Sequence, residues 1–141
     1  SFKATGSHPL YYGTACVVVR RNRGERGEIV LRATADGREE TSVWYDAAAH
    51  ELVVDNRKNT YGGKLAVERA PFALAEGEAL QLRLFVDRSV LDVFANGRQA
   101  VSRRICPKDA AGAKGVYLSS QKGAATYSSV RVWEMDATNP Y

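Results

Sequence analysis

Two stretches near the middle of the chain, Ala79–Asp87 and Val90–Asn96, fit together as a β-hairpin in one register only. With Arg88-Ser89 as a two-residue loop, Asp87 faces Val90, Val86 faces Leu91, Leu84 faces Val93 and Leu82 faces Ala95. Side chains alternate along a strand, so this pairing gathers an unbroken apolar face. The other face is mixed, with Phe85 beside Asp92, Arg83 beside Phe94 and Gln81 beside Asn96. A slip of one residue would scatter the apolar set. A sheet with one apolar face needs a second layer to cover it, and a second sheet does so in a sandwich.

The rest of the chain supplies strands for that second layer. Apolar or alternating runs occur at Ala15–Arg20, Glu28–Thr34, Thr41–Tyr45, Glu51–Asp55, Lys64–Glu68, Gln99–Ile105, Gly115–Ser120 and Ser128–Met135. Turn signals separate them: Arg23-Gly24, Asp36-Gly37, Gly62-Gly63, Glu76-Gly77 and Asn96-Gly97. Asn-Gly suits a type I′ turn, because both central residues need φ > 0. It returns Gln99–Ile105 beside the preceding strand, where Arg103 shares the parity of Val101 and Ile105, so a bulge is expected and the register stays open. No 3.6-residue periodicity is sustained, and Ala47–His50 reads as one helical turn at most. About ten short strands predict an all-β sandwich or barrel. With 141 residues, the chain reads as one domain, 1–141, able to bury a core without metal or disulfide support.

Composition excludes several functions. A net charge of +4 is too weak to argue for nucleic acid, and the basic run Arg20–Arg26 lacks the interleaved aromatics of single-strand binders. That run reads as a solvated hairpin tip, with an anionic surface as its functional alternative. No run approaches the ~18 apolar residues of a membrane span. There is no basic start followed by an apolar run, so no signal peptide is visible, and Ser1 in place of Met is what a processed or excised chain presents. Cys16 and Cys106 form no metal-ligand pattern with His8 or His50, so neither metal nor cofactor is expected; the two cysteines can pair once or remain free. No P-loop, dinucleotide fingerprint or Ser-His-Asp arrangement is present.

The run Leu82-Arg83-Leu84-Phe85-Val86-Asp87-Arg88-Ser89-Val90-Leu91-Asp92-Val93-Phe94-Ala95-Asn96-Gly97-Arg98, followed by Arg104-Ile105-Cys106-Pro107, resembles the C-terminal domain of glycoside hydrolase family 32, the invertase-type β-fructosidases. Trp44-Tyr45-Asp46, Leu52-Val53-Val54-Asp55 with Arg57-Lys58, and Val130-Arg131-Val132-Trp133-Glu134-Met135 also resemble it. Together these matches cover about residues 27–135; the first 26 residues match poorly. Cys106 stands where the family usually has an aromatic residue, and Asp92 where it commonly has Glu. The resemblance implies a two-sheet antiparallel jelly-roll (lectin-like) sandwich following a catalytic propeller domain. It further implies a non-catalytic accessory role, stabilising the propeller of a sucrose- or fructan-hydrolysing enzyme or mediating homo-oligomer contacts. The family's catalytic segments Asn-Asp-Pro-Asn, Arg-Asp-Pro and Glu-Cys do not occur in the chain. Enzymes of this type act outside cells and in the bacterial cytoplasm, so localisation stays open.

Retaining glycoside hydrolysis needs two carboxylates about 5–5.5 Å apart. Asp87 and Asp92 are the tempting pair, but the register separates them. Asp87 reads as a turn cap and Asp92 as a partner of Arg83 or Arg103. Asp87, Arg88, Ser89, Asp92, Asn96 and Gly97 thus read as a structural motif, and no catalytic residue is assigned. The functional rival is an independent fructan-binding module. Sugars stack their C–H faces on aromatic rings while carboxylates and guanidinium groups hold their hydroxyls. Trp44, Asp46, Arg57, Tyr61, Trp133 and Glu134 supply those residue types; Trp133 also reads as core or interface, and Tyr11-Tyr12 and Tyr61 as loop packing.

Overall fold

The computed structural model describes residues 2–4, 8–12, 15–21, 27–58, 65–87, 89–109, 111–120 and 125–135, with the backbone alone through residue 28 and at Arg32. Tyr61, Arg88, the Arg23-Gly24 and Gly62-Gly63 turns and the tip of the Arg20–Arg26 run lie outside the described residues.

Twelve strands follow one another: β1 Phe2–Ala4, β2 His8–Tyr12, β3 Ala15–Arg21, β4 Gly27–Ala33, β5 Glu40–Asp46, β6 Glu51–Lys58, β7 Val67–Pro71, β8 Leu80–Asp87, β9 Val90–Ala95, β10 Gln99–Arg104, β11 Gly115–Ser120 and β12 Ala125–Glu134. They form two antiparallel six-stranded sheets, in the order β1-β12-β3-β8-β9-β10 and β2-β11-β4-β5-β6-β7. The all-β two-sheet sandwich expected from the sequence is the architecture found. Ala47–His50 forms the turn between β5 and β6, with His50 at φ 54°.

The β8–β9 hairpin has the register that its apolar pattern demands: Leu82 opposes Ala95, Leu84 opposes Val93 and Val86 opposes Leu91. All six of these side chains are at most 2 % exposed. They meet Ile29, Leu31, Val43, Tyr45, Leu52 and Val54 of the other sheet in one core. Fully burying each of the Leu, Ile and Val side chains contributes about 1.5–3 kcal/mol, and this layer holds the sheets face to face.

At the next turn Asn96 (φ 49°) and Gly97 (φ 65°) both occupy the left-handed region. The Arg98 N–H donates to the Ala95 carbonyl at 2.9 Å, and Gln99 opposes Ala95. Arg98 is therefore the extra residue of the connection, and β10 then pairs without interruption. Arg103 does share the inner face with the buried Val101 and Ile105.

Three strand expectations change. β1 and β2 carry no clear alternation and were not expected as strands. β1 pairs with β12 alone and β2 with β11 alone, so both are sheet edges. At such an edge Pro9 costs no ladder hydrogen bond when its missing N–H would face outward. Lys64 of the strand expected at Lys64–Glu68 lies outside the described residues; the strand found runs over Val67–Pro71, because its span follows its pairing with β6 from Asp55–Val67 to Glu51–Pro71. Cys106 is a free, half-buried thiol.

Candidate functional site

The residues nominated for sugar contact fall on separate surfaces. Trp44 and Asp46 alternate with the core residues Val43 and Tyr45 on β5, which places them on the outer face of the second sheet. Trp44 is nevertheless only 6 % exposed. The Asp46 carboxylate accepts the Ala48 and Ala49 N–H groups at 3.2 and 3.1 Å and a guanidinium bond from Arg69 at 3.2 Å. The Ala49 N–H first, then Arg69 and the Ala48 N–H, hold its carboxyl below the usual carboxylate range. Arg69 also reaches Glu51 at 2.9 Å, so Asp46 terminates a local ion network. The Arg57 guanidinium is chelated by Asp55, with Nε–Oδ1 3.0 Å and Nη2–Oδ2 2.7 Å. Trp133 and Glu134 end β12 in the other sheet, and both are exposed.

The motif residues form a tightly bonded corner. The Asn96 amide donates to Glu78 Oε1 at 3.0 Å and to the Ala79 carbonyl at 2.9 Å, while its Oδ1 accepts the Gln81 N–H at 2.7 Å. Arg98 grips the same Glu78 carboxylate, donates to the Ala73 carbonyl at 2.9 Å, and lies 5.2 Å from the Phe72 ring centroid. Arg98, the Ala75 N–H and Asn96 together hold the Glu78 carboxyl at about 2. The Ser89 carbonyl accepts the Ile105 N–H at 2.8 Å, tying the β8–β9 loop to the exit of β10.

Asp92 differs from expectation. Its carboxylate accepts the Ser102 hydroxyl at 2.5 Å on the neighbouring strand, rather than pairing with Arg83 or Arg103. Arg103 lies on the opposite face of its sheet, which the strand alternation forbids Asp92 to reach. Asp87 is exposed opposite Val90, and no described donor reaches its carboxylate, so the expected cap is not seen.

The outer face of the first sheet has two unlike ends. At one end Val90, Trp133 and Met135 are 45, 45 and 42 % exposed. Trp133 lies in register, through Cys16, with Phe85. At the other end is a concavity of about 640 Å³ lined by Glu78, Gln81, Arg83, Phe85, Phe94 and Asn96. The Phe85 and Phe94 rings meet edge-to-face, 6.0 Å between centroids at 86°. Among the described residues, no group of three or more His, Cys, Asp or Glu side chains is arranged to hold a metal ion.

Sequence reasoning missed three groups. Glu39, 6 % exposed, accepts the Lys108 and Asp109 N–H groups at 2.6 and 2.8 Å and so joins two distant loops. Asn56, 2 % exposed, accepts the Ala66 N–H at 2.8 Å and donates to the Arg104 carbonyl at 3.4 Å, linking the sheets. The Glu78 contact with Asn96 and Arg98 spans 18 and 20 positions. In the sequence each acid sits in a polar turn and looks solvated; only the Asn-Gly pair carried a local signal.

Residues 10–134 match the family described as glycosyl hydrolases family 32, C terminal, a span that starts earlier than the motifs alone covered. The chain is 32 % identical over 108 residues to an acid β-fructofuranosidase of Solanum lycopersicum, a match covering 74 % of this chain and 16 % of that enzyme. An exo-inulinase from Aspergillus awamori superposes with a TM-score of 0.76 at 25 % identity, over 92 % of this chain and 26 % of that one. A carbohydrate-binding module from Bacillus subtilis shares the fold, with a TM-score of 0.66 at 10 % identity over 93 % of this chain and 84 % of the module. The chain therefore spans about a sixth of that curated relative's length.

Proposed function

The chain belongs to the C-terminal domains of glycosyl hydrolase family 32, and from that premise we propose that it is the non-catalytic accessory sandwich of a β-fructofuranosidase-type enzyme. Residues 1–141 would act as one domain, wound as a jelly roll, that stabilises a catalytic propeller preceding it or joins two copies of the enzyme. The observation carrying this reading is the match over residues 10–134 to a C-terminal part of much longer enzymes. The exposed Val90, Trp133 and Met135 side chains at one end of an outer sheet face support it. Exposed apolar side chains of this kind suit an interdomain contact, which commonly buries roughly 600–1,500 Å². The coding sequence upstream of Ser1 tests the reading. Asn-Asp-Pro-Asn, Arg-Asp-Pro and Glu-Cys segments are expected there, and their absence would sink it.

A second reading is an independent fructan-binding module, with Trp44, Asp46, Arg57, Tyr61, Trp133 and Glu134 as the contacts nominated from sequence. The fold shared with a module that accounts for most of its own chain favours it. Calorimetric titration of the chain with fructose, sucrose, inulin and levan tests it, and flat traces at millimolar sugar remove it.

A further inference from the structure

We propose that the concavity between Arg83, Phe85 and Phe94 is a carbohydrate site that takes a neutral sugar residue of a fructan. The proposal rests on the fructan-binding reading above but puts the contacts at residues outside the nominated set.

Phe94 is 41 % exposed, and Phe85 meets it at a right angle. Together they make an aromatic corner against which an apolar C–H face can lie. Arg83 is the direct cross-strand neighbour of Phe94. Neither nearby carboxylate pairs with it: Glu78 is held by Arg98 and Asn96, and Asp92 accepts the Ser102 hydroxyl. Among the described residues Arg83 makes no ion pair or hydrogen bond, although Arg98 and Arg103 close by each have a carboxylate. Gln81 engages Asn96 through its backbone N–H and carbonyl, which leaves its exposed amide to solvent.

The lining therefore presents donors at Arg83 and Gln81 and an acceptor at the Gln81 amide oxygen within one concavity of about 640 Å³, inside the ~300–1,000 Å³ range of small-ligand sites. A hydroxyl both donates and accepts, so neighbouring hydroxyls on one ring satisfy both walls. The fork of a guanidinium suits two adjacent oxygens.

Affinity electrophoresis of the 141-residue chain in gels containing levan, inulin or dextran tests the site. Retardation by levan or inulin is expected, weakened about tenfold or more in Phe94→Ala and in Arg83→Ala. The distant Arg38→Ala should migrate as the parent does. Both site residues are exposed, and Arg83→Gln provides a second variant that keeps the side-chain length. Retardation left intact in all three site variants overturns the pocket while the fructan-binding reading survives. Retardation by dextran alone overturns the ligand class, and migration unaffected by every polysaccharide ends both.

Discussion

Arg103 of β10 and Glu68 of β7 meet at 2.9 Å across the gap between the two sheets. The two strands end their respective sheets, so the pair closes an open edge of the sandwich. Gln99 donates to the Pro71 carbonyl at 2.8 Å on the same edge, and Asn56 reaches the Arg104 carbonyl at 3.4 Å. An inward-pointing charge at an edge strand also discourages pairing with another chain. Arg103 is only 15 % exposed in its side chain and Glu68 is 48 % exposed, so solvent screens half of the pair.

That asymmetry sets the first prediction. Arg103→Met should cost about 1–2 kcal/mol, mostly through the lost hydrogen bonds of the guanidinium, since Met keeps the packing of the buried stem. Glu68→Gln should cost less, and the coupling from a double-mutant cycle in urea should stay below about 1 kcal/mol. A coupling several times larger would mean that the pair is shielded from water.

The two faces of the β8–β9 hairpin should respond very differently. Leu84 is fully buried, so Leu84→Ala should lose about 2–5 kcal/mol. Phe94→Ala, on the opposite face of the same hairpin, should cost about 1 kcal/mol or less. Chemical denaturation reads both, and equal losses would contradict the hairpin register.

Asn96 combines a left-handed backbone with three side-chain hydrogen bonds. Asn96→Gly keeps the backbone freedom and should lose about 1–3 kcal/mol through the missing bonds. Asn96→Ala loses the bonds and also strains φ, adding about 1 kcal/mol. Thermal melts of the two variants should therefore separate, with the alanine form melting lower.

Glu78 should leave a signature in acid. Its carboxyl is lowered from an ordinary value of 4.5 to about 2 by Arg98, the Ala75 N–H and Asn96. A depressed folded-state value stabilises the fold above the unfolded value, and that contribution is lost as pH falls from 4.5 toward about 2. Stability measured across that window should fall less steeply in Glu78→Gln than in the parent. Parallel profiles would show that the corner does not hold the ionised form.

Much of the fold was legible in the sequence wherever one strand carried its own alternation. The β8–β9 register could be written from Leu82–Ala95 alone, and the turn after it from Asn96-Gly97. β1 and β2 were illegible because an edge strand needs only one partner and no buried face of its own. The site residues were less legible still. Trp44, Asp46 and Arg57 have the residue types of a sugar site, yet the fold buries the first and bonds the other two to neighbours. Asp92 was expected beside an arginine, and cross-strand register gave it Ser102.

By itself the sequence determined the class of architecture, because side-chain alternation is a local property that fixes which face of a strand must be covered. It also determined the left-handed turn, because Asn and Gly tolerate φ > 0 where other residues resist it. Only the tertiary structure decided which charges are spent on architecture. Glu39, Glu78 and Arg103 look like solvated surface residues until a distant strand or loop supplies their partners. It left Arg83 beside two aromatic rings without a described partner, and that environment exists only once β8 and β9 lie side by side.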